Sequence, residues 1–137
     1  MSDGRSFQRE LAALPEIFAF TAAAYERHRL APELRPSVDL VIEELFTNMV
    51  KYNERGAGPI TLALERAGSE VRVAIEDPDC EPFDITAAPE KDVTLPAEER
   101  EPGGLGLQLL RRFVDDIEYN HVARRTRIGF RRRLEKT

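Results

Sequence analysis

The chain has 137 residues, a formal net charge of −5, one cysteine and two histidines. That length suits a single domain with a real apolar core, and one cysteine, Cys80, excludes an internal disulfide. His28 and His121 lie far apart in sequence, so a zinc site or a Cys–His catalytic pair has little to build on.

The acidic balance argues against nucleic acid as a direct partner. No apolar run is long enough to span a membrane, and the N-terminus lacks the apolar core of a signal peptide. A lone cysteine also fits a reducing compartment. The sequence therefore reads as a cytoplasmic protein with no membrane partner.

In chain order, Met1 to Gly4 should fray, and Ser6 to Leu11 reads as a short edge strand. Leu14 to about Arg29 reads as a helix, with Pro15 in its first turn and Ile17, Phe18, Ala22 and Tyr25 at helical spacing. Leu30 to Pro36 carries two prolines and reads as a connector. Ser37 is the expected N-cap of a second helix that stops near Asn53, before Gly56, Gly58 and Pro59. Along it Val38, Ile42, Leu45 and Met49 form one apolar face.

Beside that face, Glu44, Asn48 and Lys51 sit at i, i+4 and i+7, so three polar side chains share a stripe. A carboxylate one turn from a carboxamide, next to an ammonium, suits a hard cation and the phosphates it bridges. The plainer alternative is a solvated face with a Glu–Lys pair.

Residues 60–64 and 71–75 alternate as two strands of an antiparallel hairpin around Ala67-Gly68-Ser69. The second strand runs into Asp77 and Asp79, which read either as binding acids or as plain strand terminators. Ile85 to Pro102 lacks an apolar period and carries three prolines, the pattern of a lid or binding loop. Gly103-Gly104-Leu105-Gly106 then precedes a helix bearing Leu107, Leu110, Phe113 and Val114. Its amides suit a phosphate at a helix N-terminus, although three glycines before a helix also serve as a flexible joint.

Residues 117–122 and 127–134 read as strands. The arginines from Arg124 to Arg133 read as the charge on an exposed edge strand, and both histidines as solvent-facing. The fold class is therefore α+β, with helices packed on one face of a mixed, mostly antiparallel sheet.

Three stretches together resemble a known family. Glu44-x-x-x-Asn48 is similar to the N box of the GHKL ATP-binding fold of gyrase-type ATPases and histidine kinases. Asp77 before Pro82-Phe83-Asp84 is similar to its first glycine box. Gly103-Gly-Leu-Gly-Leu-Gln-Leu-Leu110 is similar to the second, at the hinge of the ATP lid. The wording most resembles the bacterial branch of anti-sigma-factor serine/threonine kinases and anti-sigma regulatory factors.

The resemblance implies one GHKL-type domain over residues 1–137, with a lid at about 85–103. It also implies ATP and Mg²⁺ as cofactors. Glu44 would match the acid that activates or orients the attacking hydroxyl or water, and Asn48 the Mg²⁺ ligand. Lys51 and Tyr52 would lie near the phosphates. Asp77 would accept the adenine amino group, with Gly103, Gly104, Leu105 and Gly106 at the lid hinge.

One departure stands out: the family usually has Asp-x-Gly where this chain has Asp77-Pro78-Asp79. Asp77 is then out of place, or Asp79 substitutes for it, or adenine binding is degraded. The activity implied is γ-phosphoryl transfer from ATP to a STAS-type antagonist on Ser or Thr, by a homodimer that sequesters a sigma factor or related regulator. The second reading is a sequestering module with little or no kinase activity. A third, a detached histidine-kinase catalytic domain, lacks a helical hairpin bearing a phosphoacceptor histidine.

Overall fold

The computed structural model describes residues 2–52, 56–80 and 112–134. Its strands are β1 (Ser2–Phe7), β2 (Ile60–Ala67), β3 (Glu70–Asp77), β4 (Asp116–Val122) and β5 (Arg125–Arg133). Its helices are α1 (Leu14–Arg27) and α2 (Arg35–Tyr52), with single 3₁₀ turns at Leu11–Ala13 and Pro32–Leu34. The sheet runs β1-β2-β3-β5-β4, and every described pairing is antiparallel. Among the described residues, α1 and α2 cover one face of it, which is the α+β arrangement the pattern predicts.

Period-2 alternation explains how the sheet and the helix layer meet. Val71, Val73 and Ile75 of β3 are buried, as are Ile60, Leu62 and Leu64 of β2 and Ile128 and Phe130 of β5. They meet α2, whose predicted face (Val38, Ile42, Leu45, Met49) is buried along its whole length. Val41, Phe46 and Val50 widen that face, so α2 contributes a broad apolar flank rather than a narrow seam. Helix α1 packs against both α2 and β1.

Several expectations need correction. The first strand lies at Ser2–Phe7, earlier than residues 6–11, and residues 2–4 of the stretch expected to fray are paired. Its register runs from Ser2↔Glu65 to Phe7↔Ile60, and Phe7 is buried edge-on against Phe20, with ring centroids 5.8 Å apart. An edge ladder closed by an aromatic anchor outweighs terminal entropy.

Helix α2 begins at Arg35, so Ser37 is an interior residue whose hydroxyl donates to the Leu34 carbonyl at 3.0 Å. Strand β5 is not an edge: it lies between β3 and β4, and its arginines meet acids of neighbouring strands and segments. The side chain of His28 is only 8% exposed and lies 3.2 Å from Asp3. Among the described residues no helix is long and apolar enough to cross a membrane.

Candidate functional site

Helix α2 presents Glu44, Asn48 and Lys51 at intermediate exposure beside its buried face, as the spacing predicts. Asn48 Nδ2 donates to the Glu44 backbone carbonyl at 2.8 Å. The nitrogen is thus the atom engaged with the helix backbone. The carboxamide oxygen is the atom with the chemistry for a hard cation. Among the described residues no group of three or more His, Cys, Asp or Glu forms a metal cage. A Mg²⁺ ion fits this donor set as a partner of phosphate oxygens, with one carboxamide ligand from the chain.

Asp77 closes the inward row of β3, following Val71, Val73 and Ile75, and is fully buried on the side of the sheet that faces the helices. Its carboxylate takes two donations from Arg9: Nη2 to Oδ1 at 2.6 Å and Nη1 to Oδ2 at 2.8 Å. A third comes from the Asp79 amide, which donates to Oδ1 at 3.0 Å and closes an Asx-turn over Asp77-Pro78-Asp79. The Arg9 guanidinium is held above its ordinary pKa, first by these hydrogen bonds and against the pull of burial.

Asp79 occupies the glycine position of the related motif without backbone strain, since its φ is not positive. Its Oδ2 accepts from the Ala57 amide at 2.7 Å, and its Oδ1 from Arg124 Nε at 2.5 Å. The loop amide first, and then Arg124, hold its carboxyl below the ordinary range. The two acids therefore divide: Asp77 faces inward onto Arg9, and Asp79 ties the segment before β2 to the β4–β5 turn.

Around them the packing is close. A Cβ on Gly56 would stand 2.7 Å from the Asp79 carbonyl oxygen and 2.8 Å from Arg9 Cζ, so only glycine fits there. Cys80 is buried with Sγ 2.7 Å from Thr126 Oγ1, and burial pushes its thiol up, away from reactivity. His121 Nε2 lies 3.0 Å from the Cys80 carbonyl oxygen.

The structure thus brings Asp77 and Asp79 into one polar cluster and puts Glu44, Asn48 and Lys51 on one helix stripe. Tyr52 ends α2. Gly103, Gly104, Leu105 and Gly106, the lid at about 85–103 and Pro82-Phe83-Asp84 lie outside the described residues. Sequence reasoning missed Arg9 and the role of Gly56. Arg9 pairs across 68 positions, which no local pattern encodes, while Gly56 carries in sequence only the signal of a helix stop.

The family model for the histidine kinase-like ATPase domain matches residues 7–132. The chain belongs to that family. Its fold also matches solved structures, at identities that show fold alone. The RsbU and RsbW domains of Rv1364c from Mycobacterium tuberculosis superpose with a TM-score of 0.68 at 15% identity, over 100% of this chain and 33% of that one. The histidine kinase AdeS from Acinetobacter baumannii gives 0.52 at 18% identity, over 98% of this chain and 68% of that one. This chain therefore spans about a third of the length of the Mycobacterium chain. No curated protein matches it.

As a histidine kinase-like ATPase domain, the chain places a polar helix stripe and a strand-end acid on the same side of its sheet. This family member differs from the sequence-level picture chiefly in the arginine already seated on that acid.

Proposed function

We propose that the chain binds ATP with Mg²⁺ and transfers the γ-phosphoryl group to Ser or Thr of a STAS-type antagonist, while also holding a sigma factor or related regulator. The observation that carries this reading is the placement of Asp77. It is a buried carboxylate facing the helix layer, whose α2 bears Glu44 and Asn48 one turn apart. Family membership over residues 7–132 supports the ATP-using part. The RsbW name of one structural neighbour prompts the anti-sigma part.

In this reading the ion supplies charge neutralisation on the phosphates. Asn48 would hold it through the carboxamide oxygen, and Glu44 would take the proton of the acceptor hydroxyl. Lys51, Tyr52 and the 103–106 glycine segment with Leu105 would approach the phosphates. Asp77 would read the adenine amino group, with Asp79 bracing it. One domain across residues 1–137, a lid at about 85–103, a homodimer and a cytoplasmic setting complete the proposal.

Labelled γ-phosphate offered with a STAS-domain protein tests it. Wild type should deposit acid-stable phosphate, and Glu44→Ala should slow transfer by about 10²–10⁴-fold, the usual scale for a lost general base. Undiminished transfer by Glu44→Ala contradicts the assigned role. A specific observation favours a second reading, a sequestering module without kinase activity: Arg9 and Arg124 already engage both acids of the base site. Complex formation with no phosphate transfer would select it.

A further inference from the structure

Asp77, the proposed base acceptor, already has an occupant. The Arg9 and Asp77 side chains are 6% and 0% exposed, so little of the pair meets water. Arg9 Nη2 also approaches the carbonyl oxygens of Gly58 at 3.3 Å and Ala57 at 3.4 Å. Glycine at position 56 leaves the room for this guanidinium.

We propose that Arg9 is an internal competitor for the nucleotide base: it fills the donor position that an adenine amino group would take on Asp77, and base recognition requires it to leave. The proposal rests on the assignment of Asp77 to the base. Adenine offers a carboxylate a neutral amino group, whereas Arg9 offers two parallel charge-assisted bonds, each about twice as strong as a neutral one. The occupant is also tethered, so it loses little freedom on pairing.

Two features argue for a displaceable occupant over a fixed strut. Arg9 belongs to no helix or strand and lies just past β1, so withdrawing it breaks no ladder bond of its own. Its Nε is buried with no hydrogen-bond partner among the described residues, a standing cost that release would remove. While the pair persists, apparent nucleotide affinity is the intrinsic affinity multiplied by the fraction of molecules in which Asp77 is open.

Base selectivity separates this from a merely structural role. Guanine presents a carbonyl oxygen where adenine presents the amino group, and a carboxylate repels it. An open Asp77 therefore prefers ATP to GTP, and a covered one does not.

Calorimetry with ATP–Mg²⁺ and GTP–Mg²⁺ on wild type, Arg9→Met, Arg9→Lys and the double variant Arg9→Met/Asp77→Asn tests the proposal, with folding checked by thermal melts. Arg9→Met should bind ATP tighter by about tenfold or more, the factor that 1.4 kcal/mol makes, and its preference for ATP over GTP should rise equally. Arg9→Lys should stay near wild type, and the double variant should lose the gain. If Arg9→Met leaves the buried Asp77 carboxylate too poorly paired for the chain to fold, Arg9→Gln keeps one amide donor and should show a smaller gain of the same sign.

A folded Arg9→Met that matches wild type in ATP affinity and in base preference overturns the proposal while leaving the ATP site itself standing. Folded proteins of which none binds ATP overturn both.

Discussion

At Asp39 the carboxylate lies between the two helices, where Arg35 Nε donates to Oδ2 at 3.1 Å. Burial pushes this carboxyl above its ordinary value, and Thr21 and then Arg35 only partly offset that. The folded state then favours the protonated acid. Its contribution is fully present below the unfolded value of about 3.9 and is lost as pH rises through the folded value. Asp39→Asn removes this titration. Urea unfolding across a pH series should therefore show the variant gaining on wild type from about pH 3.9 upward, before the difference levels off. A difference that stays flat across that window contradicts the assignment.

The Glu44–Asn48–Lys51 stripe was legible at this scale because the helical period alone sets which side chains share a face. The state of Asp77 was not. Its buried partner, Arg9, stands 68 positions away, and nothing near either residue signals the pairing. The division of labour between Asp77 and Asp79 depends on the same long-range contacts.

Between β4 and β5 the chain turns through Ala123 and Arg124, with φ of 49° and 69°. Positive φ at both central positions is the geometry of the tight hairpin turn whose twist matches the strands, and it favours Asn or Gly. Neither occurs here, so contacts must hold the turn. The Arg124 carbonyl accepts from the Cys80 amide at 2.8 Å, and Arg124 Nε reaches Asp79. Ala123→Gly should relieve the left-handed strain, less the extra freedom glycine gives the unfolded chain, for a net gain of up to about 1 kcal/mol. A shifted urea midpoint would register it, and a loss of stability would show that the alanine methyl is needed there.

The strands of this hairpin were readable from alternation nearly to their ends. Their place in the sheet was not, because β5 pairs with β3 from across a long connection, and local pattern carries no strand order. The same limit made an interior strand look like a charged edge.

On the scale of the molecule, composition and alternation were enough for a two-layer α+β fold, and the chain belongs to the histidine kinase-like ATPase domain family. The sheet gathers Asp77 and Asp79 at the C-terminal end of β3, beside the segment that enters β2 and the turn that leaves β4. Strand β1 carries Arg9 to that same end. The first strand and the proposed nucleotide site are thus linked through one side chain, an arrangement invisible to any reading of the elements one at a time.

The most direct test of the central claim is calorimetric titration of ATP, with and without Mg²⁺, into wild type and Asn48→Ala. Mg²⁺ should strengthen ATP binding to wild type, and the variant should lose that dependence. A well-folded wild type that binds no ATP, or that binds it equally with and without the ion in both proteins, would contradict it.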